Sequence, residues 1–284
     1  MIELRDTPAG LAQGYGGDTL NTAVYLARLG QAVEYVTALG DDPWSEAMLA
    51  GWQAEGVGTR LVQRLPGRLP GLYAIKTDAA GERRFYYWRA SAAARDLFDH
   101  LPASALAGFG VLYVSGITLS IYDGAGRAAL LAVMAAARAR GGWVVFDTNF
   151  RPRAWPDLAA AQALYARVYA IATHILASCE DLALLDPAGG EATLLAHAAT
   201  AEIVLKLPEP ACRVYAGGGT QTVVAGPVTR VVDTTAAGDS FAAAYLAARR
   251  GGATPASAAA AGHALAGQVV RYPGAIMPRA EHPP

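Results

Sequence analysis

Cysteine is nearly absent. Cys179 and Cys212 are the only two in 284 residues, and they lie far apart in the chain. That excludes a disulfide-stapled scaffold and a Cys-ligated zinc site, and it suits a reducing, cytoplasmic setting. Charge is sparse as well: Asp, Glu, Lys and Arg make up 17%, the net charge is −1, and no long basic run occurs. Nucleic acid and anionic membrane surfaces are therefore not expected partners. The five histidines (His100, His174, His197, His263, His282) are scattered rather than spaced as a metal cluster. No apolar run reaches membrane-spanning length, the N-terminus is too polar for a signal peptide, and neither repeats nor a linker break the chain. Hydrophobic residues, by contrast, make up 53%. That is enough for a sizeable core in one large domain or two small ones.

Apolar runs alternate with helical stretches. Val33–Ala38, Val111–Ser115, Trp143–Asp147, His174–Ala177 and Ile203–Lys206 read as buried strands. Thr19–Leu29, Pro43–Glu55, Gly124–Arg140, Leu158–Ile171 and Ala192–Thr200 read as helices. Such alternation predicts an α/β fold whose mostly parallel sheet is flanked by helices, with ligands outside the carboxyl ends of the strands. One segment departs from it. Gly71–Asp78 and Glu82–Arg89 alternate and flank the turn signal Asp78-Ala79-Ala80-Gly81. This reads as an inserted β-hairpin: a lid over a ligand, an edge element or a dimer contact.

Three motifs carry chemistry. The β-branched run Val228–Val232 reads as a strand, Asp233–Gly238 as a turn of small residues, and Asp239 as the opening of an Ala-rich helix, Ser240–Arg250. A helix mouth preceded by Ala236, Ala237 and Gly238 suits an oxyanion, because backbone amides can approach it closely. Asp239 there is either an N-cap or a base beside a transferring phosphoryl group. Gly16-Gly17-Asp18-Thr19-Leu20-Asn21 places polar groups at a helix start, where Asp18 and Asn21 can bind hydroxyls or Asp18 can cap. The dinucleotide fingerprint fails, since Leu11–Tyr15 reads as a poor strand. In Asp147-Thr148-Asn149-Phe150-Arg151, Asn149 and Arg151 share a side if the chain is extended. Arg151 suits a carboxylate or phosphate, or else pairs with a buried acid such as Asp147.

Taken in order, these elements resemble the ribokinase-like (PfkB-type) carbohydrate kinases, and among them the 2-keto-3-deoxygluconate kinase branch. The similar stretches are Gly16–Arg28, Tyr35–Gly40, Gly81–Arg89, Ser115–Ile117, Asn149–Arg153, Asp233–Phe241 and Gly274–Arg279. The resemblance implies a single kinase domain over residues 1–284, with lid elements around 3–16 and 71–90. It implies ATP-dependent phosphorylation of the 6-hydroxyl of 2-keto-3-deoxygluconate with Mg²⁺. It makes Asp239 the base and the amides of Ala236, Ala237, Gly238 and Asp239 the anion hole. Arg151 would hold the substrate carboxylate, with Tyr73, Tyr87 and Arg89 closing from the lid and Tyr86 competing with Tyr87. Gly17, Asp18 and Asn21 would line the sugar side. Asn149, Ser178, Lys206 and His263 would serve the nucleotide, the last three alternatively having ordinary structural roles. Asp181 would organise Mg²⁺ through water. A homo-oligomer through the lid is also implied.

Departures from the family pattern go with this. Met1-Ile2-Glu3-Leu4 falls where the family has a segment following its first core strand, so that strand is expected to be missing or truncated. Pro208 stands where glycine is common, and Ala236 replaces the commoner loop glycine. The alternatives are a fructokinase- or ribokinase-type enzyme, or a catalytically impaired sugar-acid-binding relative.

Overall fold

The structure is a computed structural model that describes residues 1–7, 10–77 and 83–281. The predicted turn Asp78–Gly81 and His282 lie outside these residues. The chain divides into two compact units, Met1–Pro102 and Ala103–Pro284.

In the first unit, β1 (Ile2–Thr7) pairs antiparallel with β2 (Gly10–Tyr15). Next come α1 (Asp18–Arg28), β3 (Ala38–Leu39), α2 (Pro43–Ala54), β4 (Gln63–Arg64), β5 (Leu72–Thr77), β6 (Arg83–Trp88) and α3 (Leu97–His100). The predicted hairpin is present as the antiparallel pair β5–β6. It extends a small sheet of order β2-β1-β5-β6 in which β1 and β5 run parallel. Leu11–Tyr15, read as a poor strand, is part of β2. Its alternation is weak because it is an edge strand, and antiparallel pairing rather than burial holds it. Val33–Ala38 is a strand only at its end. The rest is extended chain tied to the segment after α2 by Tyr35 N–H to Gly58 O (2.9 Å) and Gly58 N–H to Val33 O (2.8 Å). Asp42 caps α2 by accepting from Trp44 and Ser45 amides (3.0 Å each), with Pro43 at the first helical position. Arg28 and Glu55 join the ends of α1 and α2 through two 2.8 Å hydrogen bonds.

The second unit follows the predicted alternation. It runs β7 (Val111–Ser115), α4 (Gly116–Ile121), α5 (Gly124–Ala139), β8 (Trp143–Asp147), α6 (Leu158–Ile171), β9 (His174–Ser178), α7 (Cys179–Leu185), α8 (Gly190–Leu195) and β10 (Glu202–Lys206). The hairpin β11 (Ala211–Ala216) and β12 (Gly219–Val224), then α9 (Ala237–Arg250) and α10 (Pro255–Val269), complete it. Among the described residues the sheet has the order β12-β11-β10-β9-β8-β7. β7 to β10 are parallel, and β11 and β12 are antiparallel additions. Its central strands are continuously apolar because both faces are covered: Val144–Phe146, Ile175–Ala177 and Ile203–Leu205 are all buried. α8 stops earlier than expected. The amides of His197, Ala198 and Thr200 then reach back three residues, as in His197 N–H to Leu194 O (3.1 Å). Val228–Val232 is not a strand. Val231 and Val232 are exposed, and the segment is held at its end by Val232 and Asp233 amides on Val270 O (2.7 and 3.1 Å). A β-branched run without a neighbouring strand has no ladder to join.

At the amino ends of these strands lies a part-buried charge cluster. Glu202 accepts from Arg249 (2.9 and 2.8 Å) and from the Tyr245 hydroxyl (2.6 Å), and stands 3.7 Å from His174 Nε2. Burial holds the His174 pKa below its ordinary 6.5; Glu202 opposes this and Arg249 adds to it. The unfolded chain therefore takes up a proton near pH 6.5 that the folded chain resists, so stability is full above that pH and falls below it. Thermal melts between about pH 7.5 and 5 should show Tm dropping below about 6.5. His174→Gln should flatten that drop.

Candidate active site

The carboxyl ends of β8, β9 and β10 carry Asp147, Ser178 and Lys206, and register sets Lys206 beside Ser178. Asp147 and Asp181 are buried acids, each provided with a cation. Lys206 Nζ is 3.7 Å from Asp147 Oδ2, which also accepts from the Tyr113 hydroxyl (3.2 Å). Arg151 Nη1 is 3.2 Å from Asp181 Oδ1, and Thr148 Oγ1 donates to Asp181 Oδ2 at 2.8 Å. Arg151 thus pairs with Asp181 rather than Asp147, and its side chain stays half exposed. Ser178 caps α7, its hydroxyl accepting from the Asp181 amide at 3.0 Å.

Asn149 does not continue an extended strand. Its φ is +28°, which turns the chain between Thr148 and Arg151. Thr148 anchors that turn: its amide donates to Leu176 O (2.9 Å) and its carbonyl accepts from the Tyr165 hydroxyl (2.7 Å). Burial raises the Tyr165 pKa well above the ordinary tyrosine value, so the phenol stays a donor.

The other non-glycine residue with positive φ among the described residues is Ala236, at φ +61° and ψ +14°. It, not Asp239, is the N-cap of α9, and Asp239 lies in the first turn of that helix. The helix starts at Ala237, earlier than Ser240, so its first-turn amides belong to the small residues themselves. Of the expected anion-hole amides, that of Ala237 is taken up within the loop, donating to Thr234 O at 3.2 Å. A Cβ built on Gly238 would lie 3.4 Å from Lys206 Nζ, which puts that ammonium against the helix mouth. Amides, dipole and ammonium together make a place for an anion.

Sequence reasoning missed Asp233 as more than a turn residue. It is buried, and its two oxygens accept from Thr235 N–H and from Gly274 N–H, each at 2.8 Å. It thereby ties the loop before α9 to the Gly274 segment. An acid ahead of a loop of small residues was the available signal. Asp233→Ala leaves two amides unmet, about 1–3 kcal/mol each. Steady-state assays should then show kcat reduced by about 10- to 100-fold, with a lowered Tm.

His263 lies on α10. It lines a cavity of about 280 Å³ with Pro227, Val228, Thr229, Gly267 and Arg271 among others. Its ring packs edge-on to Phe241 at 5.0 Å, and its buried Nε2 has no hydrogen-bond partner among the described residues. Burial lowers its pKa, which favours neutral imidazole.

The remaining expected residues are in the first unit. Gly17 is the N-cap of α1 with φ +154°, so Asp18 is its first residue rather than its cap, and Asn21 is buried one turn on. Register pairs Tyr73 with Tyr87, and alternation puts both on one face of the small sheet. Tyr86 and Trp88 fall on the other. Arg89 lies 4.9 Å from the Tyr87 ring centre. Among the described residues no three His, Cys, Asp or Glu side chains gather as a direct metal cage, and no helix is long and apolar enough to cross a membrane.

The chain is 45% identical to 2-dehydro-3-deoxygluconokinase of Dickeya dadantii, over 98% of this chain and 94% of that one. It is 43% identical to the enzyme of the same name from Escherichia coli K12, over 100% and 96%. Fructokinase with bound ATP from Xylella fastidiosa superposes with a TM-score of 0.86 at 23% identity, covering 100% of this chain and 92% of that one. That agreement fixes the fold as ribokinase-like. The model of the pfkB family of carbohydrate kinases matches residues 3–282, taking in the Gly16-Gly17 loop, the turn at Asn149 and the helix mouth at Asp239, and the chain belongs to that family.

Proposed function

We propose that this chain transfers the γ-phosphoryl group of ATP to the 6-hydroxyl of 2-dehydro-3-deoxygluconate, also called 2-keto-3-deoxygluconate. The observation that carries the reading is the mouth of α9. There a left-handed Ala236 opens a helix whose first turn holds Asp239, with Lys206 against Gly238 above the strand ends. Asp239 accepts the proton of the attacking hydroxyl, and the amides of Ala236, Gly238 and Asp239 hold the oxygens of the moving group. Lys206 adds positive charge beside them. Gly17, Asp18, Asn21, Tyr73, Tyr87 and Arg89 take up the sugar acid, and Arg151 takes its carboxylate.

The residues fit ATP and Mg²⁺. The cavity beside His263 offers an unmet buried nitrogen and an apolar wall for a purine. Asn149 and Ser178 belong to the nucleotide side. Asp181 offers carboxylate oxygens to a hard cation, but Thr148 and Arg151 occupy it, which suits contact through water. When bound, ATP supplies the phosphoryl group and Mg²⁺ neutralises its charge.

The full-length relatives bearing the 2-dehydro-3-deoxygluconokinase name support the choice of acid sugar. Two free cysteines suit work in the cytosol. The exposed Tyr86 and Trp88, together with Leu11 at 68% exposure, favour a homo-oligomer through the small sheet. An ADP-coupled assay with 2-dehydro-3-deoxygluconate, fructose and ribose tests the activity. A kcat/KM for the acid at least about 100-fold above the neutral sugars is expected. Equal or better use of fructose or ribose, or sugar-acid binding without ADP release, overturns it.

A further inference from the structure

Glu3 is a buried acid that no step above uses. It is 7% exposed on β1, and its partners in register are Gly14 on β2 and Tyr73 on β5. Tyr73 is 8% exposed and its hydroxyl donates to Glu3 Oε2. Arg5 Nε is 3.9 Å from Glu3 Oε1. Both members of the pair abut Gly16. A Cβ there would collide with the Tyr73 hydroxyl and lie 3.3 Å from Glu3 Oε2. The phenol and the acid therefore press on the backbone that opens the Gly16-Gly17-Asp18 loop.

A tyrosine hydroxyl has one proton to donate, and a carboxylate has none to return. Tyr73 spends its proton on Glu3, so its oxygen offers a ligand lone pairs only. That oxygen can accept from a hydroxyl donor and has no proton to give a carboxylate.

We propose that Glu3 is a positioning and specificity residue of the sugar site. It keeps Tyr73 as an acceptor against Gly16, so that this wall selects a substrate hydroxyl and leaves the substrate carboxylate to the arginines. The inference rests on reading the chain as a sugar-acid kinase.

The test uses the full chain, steady-state kinetics and the variants Glu3→Gln, Tyr73→Phe and the double substitution. Each single change should raise the KM for 2-dehydro-3-deoxygluconate about tenfold and leave the KM for ATP in place. The double variant should be no worse than the worse single one, because Glu3 acts through Tyr73. Of the 4-deoxy and 5-deoxy analogues, wild type should disfavour one by about tenfold or more, and Tyr73→Phe should lose that discrimination. Losses that multiply in the double variant, a KM for ATP that moves with that of the sugar, or single variants that behave as wild type overturn the proposal. If Glu3→Gln does not fold, Tyr73→Phe with the two analogues decides alone. Should wild type use fructose in place of the acid, the substrate reading fails by itself, and the Glu3–Tyr73 coupling is then measured on fructose.

Discussion

Asp239→Asn should lower kcat by about 100- to 10,000-fold while ATP binds almost as well as before. The substitution keeps size and shape. It also keeps a polar side chain in the first turn of α9, so the helix should stay in place. What disappears is basicity, because an amide cannot take up the proton released by the attacking hydroxyl. Ala236, Gly238 and Lys206 do not depend on that proton, so nucleotide affinity should change by less than about threefold. ATP titration by calorimetry, alongside single-turnover phosphorylation, separates the two quantities. Turnover near that of wild type would remove Asp239 from the chemistry.

The second large effect is expected at Arg151. Arg151→Ala should raise the KM for 2-dehydro-3-deoxygluconate by an amount equivalent to about 2–5 kcal/mol. Two losses combine: the substrate carboxylate loses its fork of donors, and the buried Asp181 loses the cation 3.2 Å away. Arg151→Lys should recover only part of the affinity, because an ammonium cannot make the planar bidentate contact. Fructose, which has no carboxylate, should be affected far less. If instead the KM for Mg·ATP rises and that of the sugar acid stays level, Arg151 serves Asp181 and the metal side rather than the substrate.

The centre of the fold was legible because its strands are buried on both faces and therefore read as unbroken apolar runs, as at Trp143–Asp147 and Ile203–Lys206. The edges were not. β12 is mostly exposed and polar, so nothing in its hydropathy announces a strand. The usable sign was Gly217-Gly218, whose φ values of +57° and +79° make a two-residue hairpin turn. Val228–Val232 erred the other way: propensity without a pairing partner. In the site, the α9 mouth was readable from Ala236–Asp239, since a run of small residues leading into a helix lets an anion come close to its backbone. The competition between Tyr86 and Tyr87 needed the register of β5 against β6. The Arg151–Asp181 and Asp233–Gly274 contacts join residues 30 and 41 positions apart, beyond any local pattern.

Ala236 has one more consequence. A methyl-bearing residue in the left-handed basin costs about 1 kcal/mol relative to glycine, and Ala236 adopts it at φ +61°. Glycine could sit there without that cost, whereas alanine is drawn toward the right-handed and extended basins, so its surroundings have to hold this turn in place whether or not an anion is bound.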